Sequence, residues 1–263
     1  MGATPMAEPR TRIALITGAS RGIGAETARL LGTRGHHVII NYREKQRRAR
    51  DVAATVAAAG GSACTVRADI TDTADITDTA DVTAMFDEIR ARHGRLDALV
   101  LNASGGLEVG ADPGYAMRVN RDAPNRLVDA ALPLLAPGSR IVFVTSHQAH
   151  FVARRDVPAA YRPVAESKRA GEDDMRCRAT ELAEHGIGLS IVSGDMVDGT
   201  IVVRLLQRRD PAAVAARRAA LPLPTVTEFA TAVADEAARP GTEARTVFVG
   251  GSDYLTEDLT FTQ

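Results

Sequence analysis

The segment Thr17-Gly18-Ala19-Ser20-Arg21-Gly22-Ile23-Gly24 follows the apolar run Ile13-Ala14-Leu15-Ile16 and opens a stretch with helical spacing. A glycine turn between strand and helix lets backbone amides close on a pyrophosphate, and the free N–H groups of the helix start carry partial positive charge. Gly18, Ser20, Gly22, Ile23 and Gly24 are therefore candidate phosphate-site residues, with a plain tight turn as the competing reading. Two cations extend the argument. Arg21 lies in the turn, and the next apolar run ends Asn41-Tyr42-Arg43, with no acid before Glu44. A site that prefers NAD offers a carboxylate there to the ribose 2′-hydroxyl, whereas two guanidinium groups grip a 2′-phosphate. The pattern predicts NADPH rather than NADH, and a solvated Arg43 ahead of an amphipathic helix is the alternative.

A second signal lies further along. Ile141-Val142-Phe143-Val144-Thr145-Ser146 ends an apolar run in two hydroxyls, which can donate hydrogen bonds to a carbonyl oxygen. Only two lysines occur in an arginine-rich chain, Lys45 and Lys168. An ammonium beside such an oxygen lowers the energy of a developing alkoxide.

These segments resemble the short-chain dehydrogenase/reductase family, from Ile13 to about Gly251. The glycines have that family's Gly-x-x-x-Gly-x-Gly spacing, and Val164-Ala165-Glu166-Ser167-Lys168 resembles its Tyr-x-x-x-Lys helix. Valine stands where the family has the tyrosine that gives or takes the proton. The resemblance implies Ser146 as the catalytic serine, Lys168 as the anchor of the nicotinamide ribose, and Asn120 in Val119-Asn120-Arg121 as the supporting asparagine. It implies Asp69 and Ile70 at the adenine, Asn102-Ala103-Ser104 along the nicotinamide ribose, and Ser193-Gly194 beside the nicotinamide. A homo-oligomer through the helices after strands four and five is implied as well. A hexapeptide tandem beginning at Ala68-Asp69-Ile70-Thr71-Asp72-Thr73 reads as a duplicated surface connection and leaves Asp75 as a rival to Asp69.

The missing acid leaves several readings open. Tyr161 precedes Val164 by three residues, which puts both on one face of a helix one turn apart. Pro163, however, argues against a helix continuous through Tyr161 and turns its ring into the connection. His147 and His150 are further candidates for a longer loop after Ser146. The leading reading needs no protein acid: a ketone flanked by a phenol passes its own proton to the reduced oxygen. Losing general acid catalysis otherwise costs about 10²–10⁴ in rate. In its altered motif the chain resembles atypical ketoreductases of aromatic polyketide pathways that act on angucyclinone-like carbonyls. The expected substrate is thus a small aromatic ketone. A reductase with Tyr161 as relocated acid is one alternative, and a catalytically inactive NADPH-binding sensor or scaffold is another.

The elements that must position these residues follow from periodicity. Apolar runs at 13–17, 37–41, 62–68, 98–102, 140–145, 188–192 and 246–249 alternate with helical stretches at 24–33, 44–58, 81–93, 115–135 and 166–185. Gly35, Gly60, Gly94 and Gly186 sit where those helices should stop. The expected fold is α/β, a single doubly wound Rossmann-type domain over 11–263 with a parallel sheet of about seven strands and helices on both faces. Residues 1–10 read as a disordered tail. The stretch 199–225, interrupted by Pro211, Pro222 and Pro224, reads as a mobile substrate flap. A net charge of −1 gives no reason to expect nucleic acid or an anionic membrane, and no apolar stretch approaches the ~20 residues of a bilayer span. Cys64 and Cys177 show no metal or disulfide spacing, so a reduced, cytoplasmic setting without a metal is the expectation.

Overall fold

Runs rich in Val, Ile and Leu, each closed by turn residues, favour strands that are covered on both faces. The computed structural model describes residues 10–71, 80–108, 110 and 112–256. In it seven strands form one parallel sheet in the order β3-β2-β1-β4-β5-β6-β7. They are β1 Ile13–Ile16, β2 His37–Tyr42, β3 Ser62–Arg67, β4 Leu96–Leu101, β5 Leu135–Ser146, β6 Gly188–Gly194 and β7 Arg245–Val249. Between them run α1 Gly22–Thr33, α2 Gln46–Ala58, α3 Ala80–His93, α4 Tyr115–Met117, α5 Ala123–Ala131, α6 His147–His150, α7 Arg162–Cys177 and α8 Ala179–Glu184. The helices α9 Ile201–Arg209, α10 Pro211–Ala220, α11 Val226–Ala238 and α12 Asp253–Thr256 complete the series. The expected doubly wound α/β domain is present. Positions 72–79, with Asp75, and residues 1–9 of the expected tail lie outside the described residues.

The pleat sorts the core into two layers. Ile13 and Leu15 of β1 pack with Met85, Ile89, Leu127 and Met175, so α3, α5 and α7 cover one face. Ala14 and Ile16 point the other way, to Ala28, Leu31, Val56, Phe229 and Val233 on α1, α2 and α11. That is the period of two expected of a strand buried on both sides. Gly35, Gly60, Gly94 and Gly186 all have positive φ, between 69° and 82°, as helix stops require.

Boundaries differ from the periodic reading where proline or tertiary pairing intervenes. The expected helix over 115–135 is divided by a π turn at Arg118–Asp122 and a 3₁₀ turn at Leu132–Leu134, which holds Pro133. The strand β5 begins early because Leu135 pairs with Leu96 before the register shifts to Ala98–Arg140. The strand order reverses at β1, between β2 and β4. Doubly wound sheets open a ligand crevice at that point, beyond the carboxyl ends of the strands.

Candidate active site

The turn after β1 is built by close approach. Gly18 and Gly22 have φ of 62° and 58°, a region costly for residues with a Cβ. A Cβ on Gly18 would lie 3.0 Å from Ala103 Cα, and one on Gly24 would lie 2.6 Å from Asn102 Nδ2. Gly18 thus lets the turn settle on the end of β4, and Gly24 lets α1 seat on the sheet. Asn102 ties this junction together: its Nδ2 donates to the Thr17 carbonyl at 2.9 Å. The amides of Asn102 and Ala103 both donate to Thr17 Oγ1, at 3.0 and 3.1 Å.

A cleft of about 740 Å³ opens above this turn. Of the expected cofactor residues, Gly18, Ser20, Arg21, Gly22, Ile23, Arg43, Asp69, Ile70, Asn102, Ala103 and Ser104 line it, and Gly24 packs beneath. At one end Arg43 lies 3.3 Å from Glu44 Oε1 and 3.9 Å from Asp69 Oδ2, and it donates to the Tyr115 hydroxyl at 3.0 Å. Asp69 is held in place from two sides. Its carboxylate accepts from Thr71 N and Oγ1, and its own amide donates to Asp81 Oδ2 at 2.8 Å.

Three of the expected residues, Ser193, Gly194 and Asn120, lie behind the cleft wall. Ser193 and Gly194 do not border the cleft. Ser193 is fully buried with its Oγ 2.8 Å from His147 Nδ1. Gly194 has no Cβ because the Phe229 ring occupies that space, with ring carbon Cδ2 2.5 Å from where a Cβ would stand. The wall beside them is made instead by Asp195, Met196 and Val197. Asn120 stands behind the cleft, in the π turn, and donates from Nδ2 to the Gly105 carbonyl and Ser167 Oγ, each at 3.0 Å. Its Oδ1 is buried without a hydrogen-bond partner.

The other end of the cleft carries Thr145, Ser146, Tyr161 and Lys168. The helix does not run through Tyr161, but the expectation that Pro163 would turn the Tyr161 ring into the connection is overturned. Arg162 and Pro163 fill the first two positions of α7, where a missing N–H breaks no helical bond. Tyr161 caps that helix, and its carbonyl accepts from Ala165 N at 2.9 Å. It precedes Lys168 by seven residues, about two turns, so both fall on one face. The Tyr161 hydroxyl lies 3.2 Å from Ser146 Oγ. Burial raises its pKa, partly offset by that hydrogen bond.

Lys168 is 7% exposed and donates from Nζ to the Val144 carbonyl at 3.3 Å. Burial pulls its pKa down to about 8. Thr145 Oγ1 is buried without a hydrogen-bond partner. Val164 is buried too, and a Cβ on Gly106 would lie 3.1 Å from its Cγ2. Neither histidine borders the cleft. His147 Nε2 faces the Gly250 carbonyl at 3.0 Å, and His150 Nδ1 faces Glu172 Oε1 at 2.6 Å.

The 199–225 stretch, helical in its sequence pattern, walls the cleft through Gly199 to Arg204 as a helical hairpin. Pro211 begins α10 instead of interrupting it. Val203, Leu206 and Val214 pack with Tyr161, Val164 and Met196. Arg217 ties the hairpin down, donating to Asp195 at 2.6–3.0 Å and to Asp253 at 2.7 Å. Tyr115, Asp195 and Met196 escaped the sequence reading because each stands outside a motif, and only tertiary folding brings them to the cleft.

Comparison with known proteins agrees with this arrangement. The short chain dehydrogenase family profile matches residues 12–210. A 1-cyclohexenylcarbonyl-CoA reductase of Streptomyces collinus is 35% identical over 197 residues, or 72% of this chain. The match spans 66% of that reductase, just under two thirds of its length. Versicolorin reductase 1 of Dothistroma septosporum is 30% identical over 188 residues, covering 69% of this chain and 68% of the relative. The crystal structure of the angucycline C-6 ketoreductase LanV with bound NADP superposes with a TM-score of 0.71 at 26% identity, over 90% of this chain and 94% of that one.

Proposed function

The chain belongs to the short chain dehydrogenase family, and from that premise we propose an NADPH-dependent ketoreductase that reduces a carbonyl of an aromatic polyketide, with Tyr161 as proton donor. The observation that carries this reading is the 3.2 Å contact between Tyr161 and Ser146. It supplies a serine–tyrosine hydroxyl pair from a residue one helical turn before the usual one.

The dinucleotide fits what the chain offers. The turn approaches closely only because Gly18 and Gly22 carry no Cβ, and Arg21 and Arg43 border the cleft where a 2′-phosphate needs cations. NADP bound to LanV supports the same choice. NADPH, when bound, supplies the hydride. Ser146 Oγ and the Tyr161 hydroxyl then donate to the carbonyl oxygen of the substrate. As charge builds on that oxygen, Tyr161 gives up its proton; an alkoxide is a much stronger base than a phenolate, so the transfer runs downhill even from a raised pKa. The Lys168 ammonium holds ribose hydroxyls and favours the developing negative charge. Thr145 Oγ1, unpartnered among the described residues, is free to donate to either bound molecule. Asn120 braces Ser167 and the Gly105 carbonyl behind them. The apolar wall of Met196, Ile201, Val202 and Val203 suits a flat polycyclic ketone, as the names of versicolorin reductase 1 and LanV suggest.

A second reading is kept because Val164 fills the usual tyrosine position with an inert, buried side chain. In that respect the chain resembles the tyrosine-lacking ketoreductase of simocyclinone biosynthesis, and the substrate phenol would bring the proton. NADPH oxidation with a hydroxylated aromatic ketone and its O-methyl ether separates the two. Turnover of both supports Tyr161 as donor. Loss of turnover with the ether alone supports the substrate as its own acid, and no oxidation with any such ketone removes the reductase reading.

A further inference from the structure

We propose that His37, Cys64 and His93 form a binding site for a single zinc ion at the edge of the sheet opposite the cleft. His37 opens β2, Cys64 lies on the neighbouring β3, and His93 ends α3, which packs beside them. The cleft begins at Asn41, four residues further along β2, about 13 Å away at the rise of a strand. One ligand atom from each of the three lies within 4.8 Å of the others. The centre of an equilateral triangle of that edge is about 2.8 Å from each corner. Each donor therefore needs to move only about 0.5–0.8 Å to reach Zn–N and Zn–S bonds of roughly 2.0–2.3 Å.

The second observation is the state of His37. Its Nδ1 lies 2.7 Å from Ser62 Oγ, while its Nε2 is buried with no hydrogen-bond partner among the described residues. With Nδ1–H donating to Ser62, Nε2 keeps its lone pair. Metal-bound histidines are set in this way, with one ring nitrogen fixed by a second residue and the other presented to the metal. A buried imidazole nitrogen left unpaired carries a desolvation cost, which a bond to a metal ion would offset. The two imidazole rings also stand 4.8 Å apart, and His93 Nε2 lies 4.0 Å from the Cys64 sulfur. Two imidazoles and a thiolate are the donor types that zinc favours, with a fourth position left to water. Glu88, ion-paired to Arg92 at 3.1 Å on the same helix, keeps the local charge balanced. On binding, the Cys64 thiol loses its proton to solvent as the sulfur–zinc bond forms. No spacing announces this site, since the three donors are separated by 27 and 29 residues and converge only through β2–β3 pairing and the packing of α3.

The test uses the full-length, tag-free protein, stripped of metal by a chelator. Zinc is titrated against a chromophoric competitor, and cobalt is added separately to read thiolate coordination from its absorption. The expected result is one equivalent of zinc, a sulfur-to-cobalt charge-transfer band, and a higher Tm with zinc than without. Cys64→Ser and His93→Ala should each weaken zinc at least about 100-fold, and Ser62→Ala about 10-fold. Cys177→Ser, which alters the other cysteine on the exposed end of α7, should change neither affinity nor band. A thermal melt in chelator establishes that each variant is folded. Absence of zinc binding, or binding by folded Cys64→Ser equal to the parent, overturns the proposal.

Discussion

The two ends of the cleft are built from different materials. At the dinucleotide end the work falls to the backbone: amides of a glycine turn, positive φ at Gly18 and Gly22, and a helix start. At the carbonyl end it falls to side chains, Ser146 at the end of β5, Tyr161 at the cap of α7 and Lys168 within that helix. Backbone geometry imposes its own signature, because only glycine meets it, so the first end has to announce itself in the sequence. A side-chain site can be reached from more than one position. A tyrosine at 161 in place of 164 stays on the same helix face as Lys168, so under the proposed reading the motif vanishes while the chemistry persists.

Four results would sharpen or break that contrast. The largest concerns Lys168, whose amine is buried at the carbonyl end with a pKa near 8 in place of the usual 10.5. Below pH 8 the amine is charged in the folded and unfolded states alike, and its burial penalty is full. Between pH 8 and 10.5 the folded protein sheds the proton first, so the penalty shrinks and is gone at higher pH. Lys168→Met should therefore stabilise the protein by about 3 kcal/mol at pH 7, and the gain should close above pH 10.5 in denaturant melts. A constant difference across that range would mean the amine is not desolvated.

Gly18→Val tests the backbone end. The new side chain meets Ala103 at 3.0 Å in a left-handed conformation, and the turn must open to admit it. NADPH affinity should fall by about 100-fold, read by fluorescence titration, at a stability cost of about 2 kcal/mol. Arg43→Ala should have a smaller effect, about tenfold on NADPH and none on NADH, as one charge-assisted contact to a 2′-phosphate predicts. Equal losses for the two dinucleotides would return Arg43 to its contacts with Tyr115 and Asp69 alone.

Much of the fold was legible because period-two and period-three-to-four patterns survive in strands and helices alike, and glycines at 35, 60, 94 and 186 mark the helix stops. What was lost depended on context. Pro163 looks like a breaker in isolation, yet at the second position of α7 it begins the helix that carries Tyr161. Pro211 does the same for α10, and Arg217 then pins that helix to Asp195 and Asp253, a tie that no local pattern encodes. Ser193-Gly194 matched a motif by position alone; the packing of Phe229 and His147 claims both residues for the core. Asp69 borders the cleft, held by Thr71 and Asp81, while its rival Asp75 lies outside the described residues.

The decisive measurement is the rate of NADPH oxidation by Tyr161→Phe in a single turnover with a hydroxylated aromatic ketone, alongside its NADPH affinity. A relocated tyrosine predicts a rate lower by about 10²–10⁴ with dinucleotide binding unchanged. An undiminished rate would contradict it, and would mean that the hydroxyl beside Ser146 takes no part in moving the proton.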